Sequence, residues 1–201
     1  MNTIYTIGYS GFKITDFVEI LKKCKISCVI DVRSSPSSKF YPEYNKGIIE
    51  KTLKLSGIYY RNYFDEFGAR QPNKEYYSEK GYLDFNNFTK SEQFNRGVQK
   101  IANGMKQGYK FVLMCAEKDP INCHRNIMVA SELYRRGYEI KNIMPNRTIQ
   151  TQRDIENRLI EMYFPNRNQL SLLEDIPDDK KLVSQAYRSR NADIGYKLEE
   201  E

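Results

Sequence analysis

The chain has 201 residues, a formal net charge of +6 and 40% hydrophobic residues. This length suits one sizeable α/β domain with an appendage and excludes two full catalytic domains. The basic excess favours phosphate or nucleic acid as a partner, although many ordinary enzymes carry a similar charge. No apolar run is long enough to cross a bilayer and the start shows no export signal, so we expect a cytoplasmic protein without a membrane partner. Its four cysteines are then expected to be reduced thiols.

The first sixty residues alternate between strand and helix patterns. Thr3 to Ile7 alternates and is rich in β-branched residues, which predicts a strand, and Gly8 to Gly11 ends it in a turn. An apolar stripe at helical spacing follows, and Ser27 to Val32 predicts a second strand. Asn45 to Leu55 has the spacing of a helix, and Gly57 to Tyr60 predicts a short third strand.

The second half of the chain repeats this alternation. Ser91 can cap a helix that leads to Phe111 to Met114, a short apolar run typical of a strand buried on both faces. A helix is expected after Asn122, and Tyr138 to Ile143 predicts another strand. Gln150 to Tyr163 predicts a polar helix with apolar residues on one face only.

These elements predict an α/β fold with three layers, in which a mainly parallel sheet is flanked by helices. We expect residues 1–146 to form the core domain and residues 147–201 to form a C-terminal helical extension. The extension can pack on the core, mediate dimerisation, or remain partly disordered beyond about Gly195, and the sequence leaves these alternatives open.

An aromatic-rich insertion interrupts the regular pattern between Tyr59 and Phe88, where tyrosines and phenylalanines are interleaved with basic residues. One interpretation is a lid whose rings stack on a base while its cations hold phosphate. The other interpretation is an insertion packed by its own aromatic side chains. Within it, the turn from Gly68 to Arg70 is the part that we expect to face a ligand.

A polar loop follows the second predicted strand. Asp31 and Arg33 precede a run of serines around one proline that ends at Lys39, and this composition suits an anion. The alternative is that Asp31 and Arg33 form a structural ion pair that braces the loop. The turn from Gly8 to Gly11 likewise admits a phosphate or is a plain tight turn.

The highest concentration of reactive side chains lies between Cys115 and Arg125, which includes two of the four cysteines and the only histidine. This segment should be a strand-to-helix loop, and in open α/β sheets ligands bind at such loops. Nearby cations and a helix N-terminus lower a thiol pKa, so Cys115 or Cys123 is a candidate nucleophile. Cys24 and Cys28 are predicted core residues. Because both polar loops follow buried strands, we expect them to converge on one concave site.

Four motifs together resemble those of one protein family. They are Thr6 to Gly11, Asp31 to Arg33 with Pro36 and Ser38 after it, Phe67 to Arg70, and Cys115 to Arg125. On these motifs the chain is identified as a member of domain-of-unknown-function family 488, over roughly residues 1–144. The resemblance implies an α/β domain with a parallel sheet and a site at the motifs, and it implies no established reaction.

The preferred hypothesis is a cysteine-dependent enzyme that acts on a phosphate-containing, nucleotide-like or nucleic-acid-like substrate at the carboxyl ends of the strands, without a cofactor or metal. The predicted catalytic residues are Asp31, Cys115, Glu117, Cys123 and His124. The predicted substrate-binding residues are Tyr9, Ser10, Arg33, Ser37, Lys39, Gly68, Arg70, Asp119 and Arg125.

Two alternatives remain open. A metal-dependent enzyme would use Cys115, Cys123 and His124 as ligands, although adjacent side chains at a helix start tend to point apart. A non-catalytic nucleic-acid-binding module would explain the basic charge and the tyrosines, but it needs cations spread over a surface rather than reactive groups in one loop. The sequence does not determine the oligomeric state.

Overall fold

A six-stranded sheet organises the chain, and the computed structural model describes residues 2–166 and 179–198. Five neighbouring strands run parallel, and the last strand in sequence pairs antiparallel at one edge. The strand order is β3-β2-β4-β1-β5-β6. The strands are β1 (Thr3–Gly8), β2 (Cys28–Asp31), β3 (Tyr59–Asn62), β4 (Phe111–Cys115), β5 (Glu139–Ile143) and β6 (Ile149–Thr151).

Helices cover both faces of this sheet, which confirms the predicted α/β fold with a mainly parallel sheet. The α-helices are α1 (Ile14–Lys23), α2 (Lys46–Leu55), α3 (Phe64–Phe67), α4 (Phe85–Phe88), α5 (Glu92–Lys106), α6 (Ser131–Arg135), α7 (Gln152–Tyr163) and α8 (Asp179–Ile194). A π-helix, Arg125–Ala130, runs directly into α6. The helix predicted after Asn122 is thus present, but its π-helical winding was not predicted, and all six residues of the π-helix are buried.

The sheet separates two apolar cores. On one face, which we call the α1 face, buried residues of α1 and α2 pack against the strands. On the other face, which we call the α5 face, the covering elements are α5, the π-helix, α7 and α8. Side chains alternate along each strand, so Val29 and Met114 point to the α1 face while Ile30 and Cys115 point to the α5 face.

The start of the C-terminal extension differs in detail from the prediction. Ile149–Thr151 forms β6 and pairs with β5, so the predicted helix begins two residues later, at Gln152. Thr151 starts the helix because its hydroxyl accepts from the Asp154 amide while the Asp154 carboxylate accepts from the Thr151 amide. The predicted boundary after residue 146 thus falls between two paired strands, and the division into two domains remains a prediction.

The extension packs on the α5 face in the residues that the structure describes. Ile155, Leu159 and Ala186 belong to the buried core there. The Asn191 side chain joins α8 to the insertion, since it accepts from the Phe85 amide and donates to the Leu83 carbonyl. The structure therefore favours packing on the core among the alternatives for this segment, while residues 199–201 lie outside the described part. None of the described helices combines the length and apolarity needed to cross a membrane.

The aromatic insertion packs on its own rings and on Phe94 of α5. Phe88 contacts Tyr76 within the insertion, with ring centroids 5.2 Å apart, while Phe67 and Phe88 contact Phe94 at 5.0 and 5.9 Å. Such pairs stabilise a core beyond their area of burial. The centre of the insertion is therefore packed on itself and on α5, whereas its first residues, Tyr59 and Arg61, remain exposed.

Candidate functional site

The loop after β4 meets the end of β2, because these two strands are parallel neighbours. Val32 donates its amide to the Met114 carbonyl at 3.1 Å, which continues the sheet one residue beyond β2. The loop is also pressed against β1, since a Cβ atom on Gly8 would lie 1.8 Å from the Glu117 carbonyl oxygen. Only glycine permits this approach of two backbones.

Four side chains from this loop form what we call the thiol cluster: Cys115, Glu117, Cys123 and His124. The Cys123 sulfur lies 2.8 Å from Glu117 Oε2, and the Cys115 sulfur lies 4.0 Å from His124 Nδ1. Both cysteines are free thiols and are 2% and 1% exposed. The loop that follows β4 thus brings both predicted nucleophiles together in a buried position.

His124 is held in a defined orientation by the neighbouring strand. Its Nε2 lies 2.9 Å from the Val32 carbonyl oxygen. A carbonyl oxygen only accepts, so Nε2 carries the proton and, in the neutral ring, Nδ1 presents a lone pair towards Cys115. Burial opposes a charge on this ring, but the hydrogen bond and charge of Cys123, together with Glu117, outweigh it and raise the pKa of His124.

The two thiols are unequal. The hydrogen bond to Cys123, followed by burial, raises the pKa of Cys115 well above its ordinary value. For Cys123, burial also acts against ionisation, but the hydrogen bond from Cys115 and the charges of Arg125 and His124 hold its pKa well below the ordinary value. Cys123 is therefore the more acidic thiol of the pair, and Cys115 is the less acidic one.

Glu117 is the acidic neighbour of Cys123. Burial of its carboxylate against the thiols, then the charge and hydrogen bond of Cys123, raise the pKa of Glu117. The residue as a whole is exposed, so water screens part of this effect. At 2.8 Å the Cys123 sulfur and the Glu117 carboxylate oxygen are within hydrogen-bond distance, and the opposite pKa shifts, down for Cys123 and up for Glu117, bring the two groups closer in proton affinity.

Arg125 holds the backbone of the loop after β4 in place from the protein interior. Its side chain is 0% exposed and donates to the carbonyls of Glu117 and Lys118, at 2.6 and 3.3 Å. Its Nε has no hydrogen-bond partner among the described residues. The guanidinium therefore supplies positive charge to the thiol cluster, but it lies too deep to hold a substrate anion in this structure.

Asp31 and Arg33 form a separate buried network with Tyr44 and Tyr60, which we call the Asp31 network. The Asp31 carboxylate accepts three side-chain hydrogen bonds from Arg33, two from Nε and one from Nη2, and one from the Tyr60 hydroxyl, at 2.6 to 3.1 Å. Arg33 also donates to the Tyr44 carbonyl at 2.8 Å. Burial, then the charge of Asp31, raises the pKa of Tyr60, so its hydroxyl remains a donor.

The Asp31 network does not face the thiol cluster. Tyr9, Tyr44 and Tyr60 all belong to the core of the α1 face, whereas Cys115 and Cys123 belong to that of the α5 face. Tyr9 stacks on Tyr44 with centroids 4.3 Å apart, and the Arg33 guanidinium lies 4.9 Å from the Tyr9 ring. The structure thus places the two polar loops side by side but directs their side chains to opposite faces of the sheet.

Several predicted substrate-binding residues serve the local backbone. The Ser10 hydroxyl donates to the Ala116 carbonyl at 2.5 Å. Asp119 caps the turn at Ile121 and forms an ion pair with Arg158 of α7, at 2.6 Å. Gly68 is buried where a Cβ atom would lie 2.8 Å from the Ser34 hydroxyl, so this motif packs directly on the loop after β2.

Three predicted residues remain at the surface, and they are Ser37, Lys39 and Arg70. The Arg70 amide donates to the Ser34 hydroxyl at 2.9 Å, which fixes this residue beside the loop after β2. Its guanidinium lies 4.5 Å from the Tyr196 ring. Lys39 and Arg70 are therefore exposed cations near the carboxyl ends of the strands.

Sequence reasoning missed two contributors to the site. The Val32 carbonyl orients His124, and a backbone acceptor carries no residue signature. Arg190 of α8 donates to the Ile121 carbonyl at 2.8 Å, so the extension supports the thiol-bearing loop from a distance of 69 residues in sequence. Its only signal was a basic residue on an amphipathic helix.

The comparisons with known proteins concern the family. Neither the curated proteins nor the solved structures include a match to this chain. A family model described as Domain of unknown function DUF488 matches residues 13–131, which include the motifs at Asp31, Gly68 and Cys115. The predicted family is thus confirmed: the chain belongs to the DUF488 family, whose model covers three of the four motifs, whereas Thr6 to Gly11, with the predicted residues Tyr9 and Ser10, precedes the matched residues.

Proposed function

We propose that this protein is a cysteine-dependent enzyme that uses Cys123 as its nucleophile and Glu117 as its acid and base. One observation carries the proposal: the Cys123 sulfur lies 2.8 Å from a Glu117 carboxylate oxygen, within reach of the proton that the thiol gives up. The positive charges of Arg125 and His124 favour the thiolate. Nucleophile, proton carrier and orienting groups then occur in one loop.

The chemistry follows from this arrangement. The Cys123 thiolate attacks an electrophilic centre, a sulfur bond to the substrate forms, and the bond to the leaving group breaks. Glu117 gives its proton to the leaving group and becomes a carboxylate. It then takes a proton from water, whose oxygen releases the product and restores the thiolate. His124, fixed on the Val32 carbonyl, stabilises the thiolate without taking part in the transfer.

The side of the cluster open to solvent points to the substrate class. Glu117 and Lys118 are exposed, while Lys39 is exposed on the loop after β2 and Arg70 on the segment after α3 that contacts this loop. These cations support a phosphate-containing or nucleotide-like substrate. Arg33 and Arg125 are buried, so they would add positive electrostatic potential at the site without contacting the substrate. The four free thiols support a reducing, cytoplasmic location as part of this proposal.

Alkylation as a function of pH, followed by peptide mapping, tests the proposal. We expect iodoacetamide to modify Cys123 with an apparent pKa below the ordinary thiol value of about 8.5, because its thiolate is stabilised. Cys115 should react only at higher pH. The Cys28→Ser variant is the matched control and should leave the Cys123 profile unchanged. If both loop thiols titrate as ordinary cysteines, the nucleophile assignment is wrong.

A metal centre is the second candidate, because one observation favours it directly. A ligand atom from each of Cys115, Cys123 and His124 lies within 4.8 Å of the others, so the adjacent side chains converge rather than point apart. The Val32 carbonyl fixes the second ring nitrogen, as is usual for histidine ligands. Two sulfurs, one imidazole and the adjacent Glu117 oxygen fit a tetrahedral zinc-type ion, which would supply Lewis-acid chemistry there.

Cobalt(II) titration separates the two candidates. A metal centre predicts thiolate-to-cobalt absorption bands that saturate at one ion per chain and that disappear in Cys123→Ser. The nucleophile proposal predicts no such bands and an alkylation profile that chelators do not change. Cys28→Ser again serves as the control, because Cys28 lies at the other end of the sheet.

A further inference from the structure

A pocket lies at the amino ends of the strands, on the α5 face of the sheet. We call it the amino-end pocket; its floor includes Cys28 and Phe111, the first residues of β2 and β4, and its volume is about 310 Å³. Cys115 is the last residue of β4, so the length of this strand separates the pocket from the thiol cluster by about 13 Å. The pocket is therefore distinct from the site described above, and its volume suits a small ligand.

Aromatic rings form much of its wall. Tyr59 and Tyr109 meet edge to face with centroids 5.4 Å apart, and Tyr63 lies on the same lining. Tyr59 lies in the edge strand β3, and this large aromatic residue is 52% exposed. Exposed tyrosines around a concave surface offer π-faces on which a flat ring can stack. The wall therefore favours a planar aromatic group.

The charge of the lining is positive. Arg61 and Lys100 contribute cations, and the lining contains no carboxylate. Lys100 pairs with Glu66, a buried residue of α3 that is not part of the lining. Arg61 donates to the Tyr60 carbonyl at 3.0 Å and lies 5.8 Å from the Tyr59 ring, and no carboxylate of the described residues pairs with it. Arg61 thus remains available for an anion.

The residues at the floor and the rim of the pocket add no negative charge to its positive lining. Burial raises the pKa of Cys28 to about 11, so the floor carries a neutral thiol rather than a negative charge. On the rim, Asn103 of α5 and Gln107, the residue after α5, are exposed amides whose side chains have no hydrogen-bond partner in residues 2–166 and 179–198. Amides of this kind donate to and accept from the edges of a heterocycle.

We propose that the amino-end pocket binds a mononucleotide, with its base against the tyrosines and its phosphate at Arg61. An anion alone would not use the aromatic wall, and an uncharged ring would not use the cations. The site is independent of the thiol chemistry proposed above, because it shares no residue with the thiol cluster.

Calorimetric titration of the full chain with AMP tests this inference. AMP should bind, and both adenosine and ribose 5-phosphate should bind at least about tenfold more weakly, since each lacks one of the two recognised groups. Arg61→Met should weaken AMP binding by about tenfold, because it removes the charged donor. Arg96→Met is the matched control: Arg96 is exposed on α5 outside the pocket, and its replacement should change the affinity less than twofold, roughly the scatter of such surface changes.

Three outcomes would overturn the inference. If AMP does not bind, or if it binds wild type and Arg61→Met with equal affinity, the pocket is not a nucleotide site. Equal weakening by Arg61→Met and Arg96→Met shows only a general charge effect. Loss of AMP binding in Cys123→Ser, with Arg61→Met unaffected, assigns the nucleotide to the thiol cluster instead. Binding retained in Cys123→Ser supports the pocket whether or not Cys123 is a nucleophile.

Discussion

The two polar clusters at the carboxyl ends of β2 and β4 each contain one carboxylate, but they differ in how completely that carboxylate is surrounded by buried partners. In the Asp31 network, the carboxylate is surrounded by an arginine and a tyrosine that are themselves buried. In the thiol cluster, the Cys115 sulfur lies 4.0 Å from its imidazole neighbour and Glu117 remains exposed. A carboxylate whose hydrogen bonds are complete stabilises a fold, whereas groups that share protons and reach solvent can exchange them.

This comparison assigns the two loops different tasks. The Asp31 network holds the end of β2 against β3 and against the turn that precedes α2, while the thiol cluster carries the candidate reactive groups. Each assignment predicts a different response to substitution, and the predictions below run from the largest expected effect to the smallest.

Replacing Arg33 by methionine should cost about 3–5 kcal/mol of unfolding free energy, because it leaves the Asp31 carboxylate buried without its cation. Urea unfolding measures this loss. Lys23→Met is the matched control, since Lys23 forms an exposed pair with Glu19 on α1 and its replacement should leave the free energy of unfolding nearly unchanged. The folded Arg33→Met protein should retain the wild-type alkylation profile of Cys123. A changed profile would mean that the two clusters are coupled and that the comparison fails.

Replacing Gly8 by alanine should cost about 1–3 kcal/mol, because the new methyl group would displace the Glu117 carbonyl and the loop behind it. Gly47→Ala is the control. It lies in α2 with no atom within 4 Å of a new Cβ, so we expect no loss or a gain of about 0.5 kcal/mol. Thermal unfolding compares the two variants. If Gly8→Ala is as stable as wild type, the loop after β4 is not held against β1 as described.

The single histidine gives the smallest and sharpest signal. Its NMR titration should show a midpoint above the ordinary imidazole value of about 6.5, because the Cys123 thiolate and Glu117 outweigh burial. Since the pKa is raised on folding, its contribution to stability is complete below the unfolded value and is lost as pH rises through the folded one. Cys123→Ser should move the midpoint down, and Cys28→Ser should not. A midpoint at or below the ordinary value in wild type would contradict the assignment of a thiolate to Cys123.

The strands that frame the site could be predicted because their signal is local. The apolar run at Phe111–Cys115 and the β-branched alternation near Thr3 mark buried strands without any tertiary information. The short β6 could not be separated from the helix after it, because three residues show no periodicity. The π-helix could not be predicted either, since its hydrogen-bond pattern leaves no residue signature.

Proximity of the two loops could be predicted, but the direction of their side chains could not. Asp31 pairs with Met114, so Cys115 is displaced by one residue along β4 and points to the other face. A shift of one residue in the pairing would have directed both side chains to the same face. The register of parallel strands depends on packing across the whole sheet, and the sequence of either strand does not encode it.

The π-helix at Arg125–Ala130 makes the length of this segment critical. A π-turn holds more residues than the 3.6 of an α-turn, and removal of one residue would restore α-helical winding. The helix would then be rotated by about 100° relative to the loop before it. Cys123 and His124 directly precede this point, so such a deletion would alter which side chains meet Cys115. A substitution in this segment alters one side chain at a time. A change in its length instead rotates the helix relative to the loop and so changes the relative positions of all the side chains in the site.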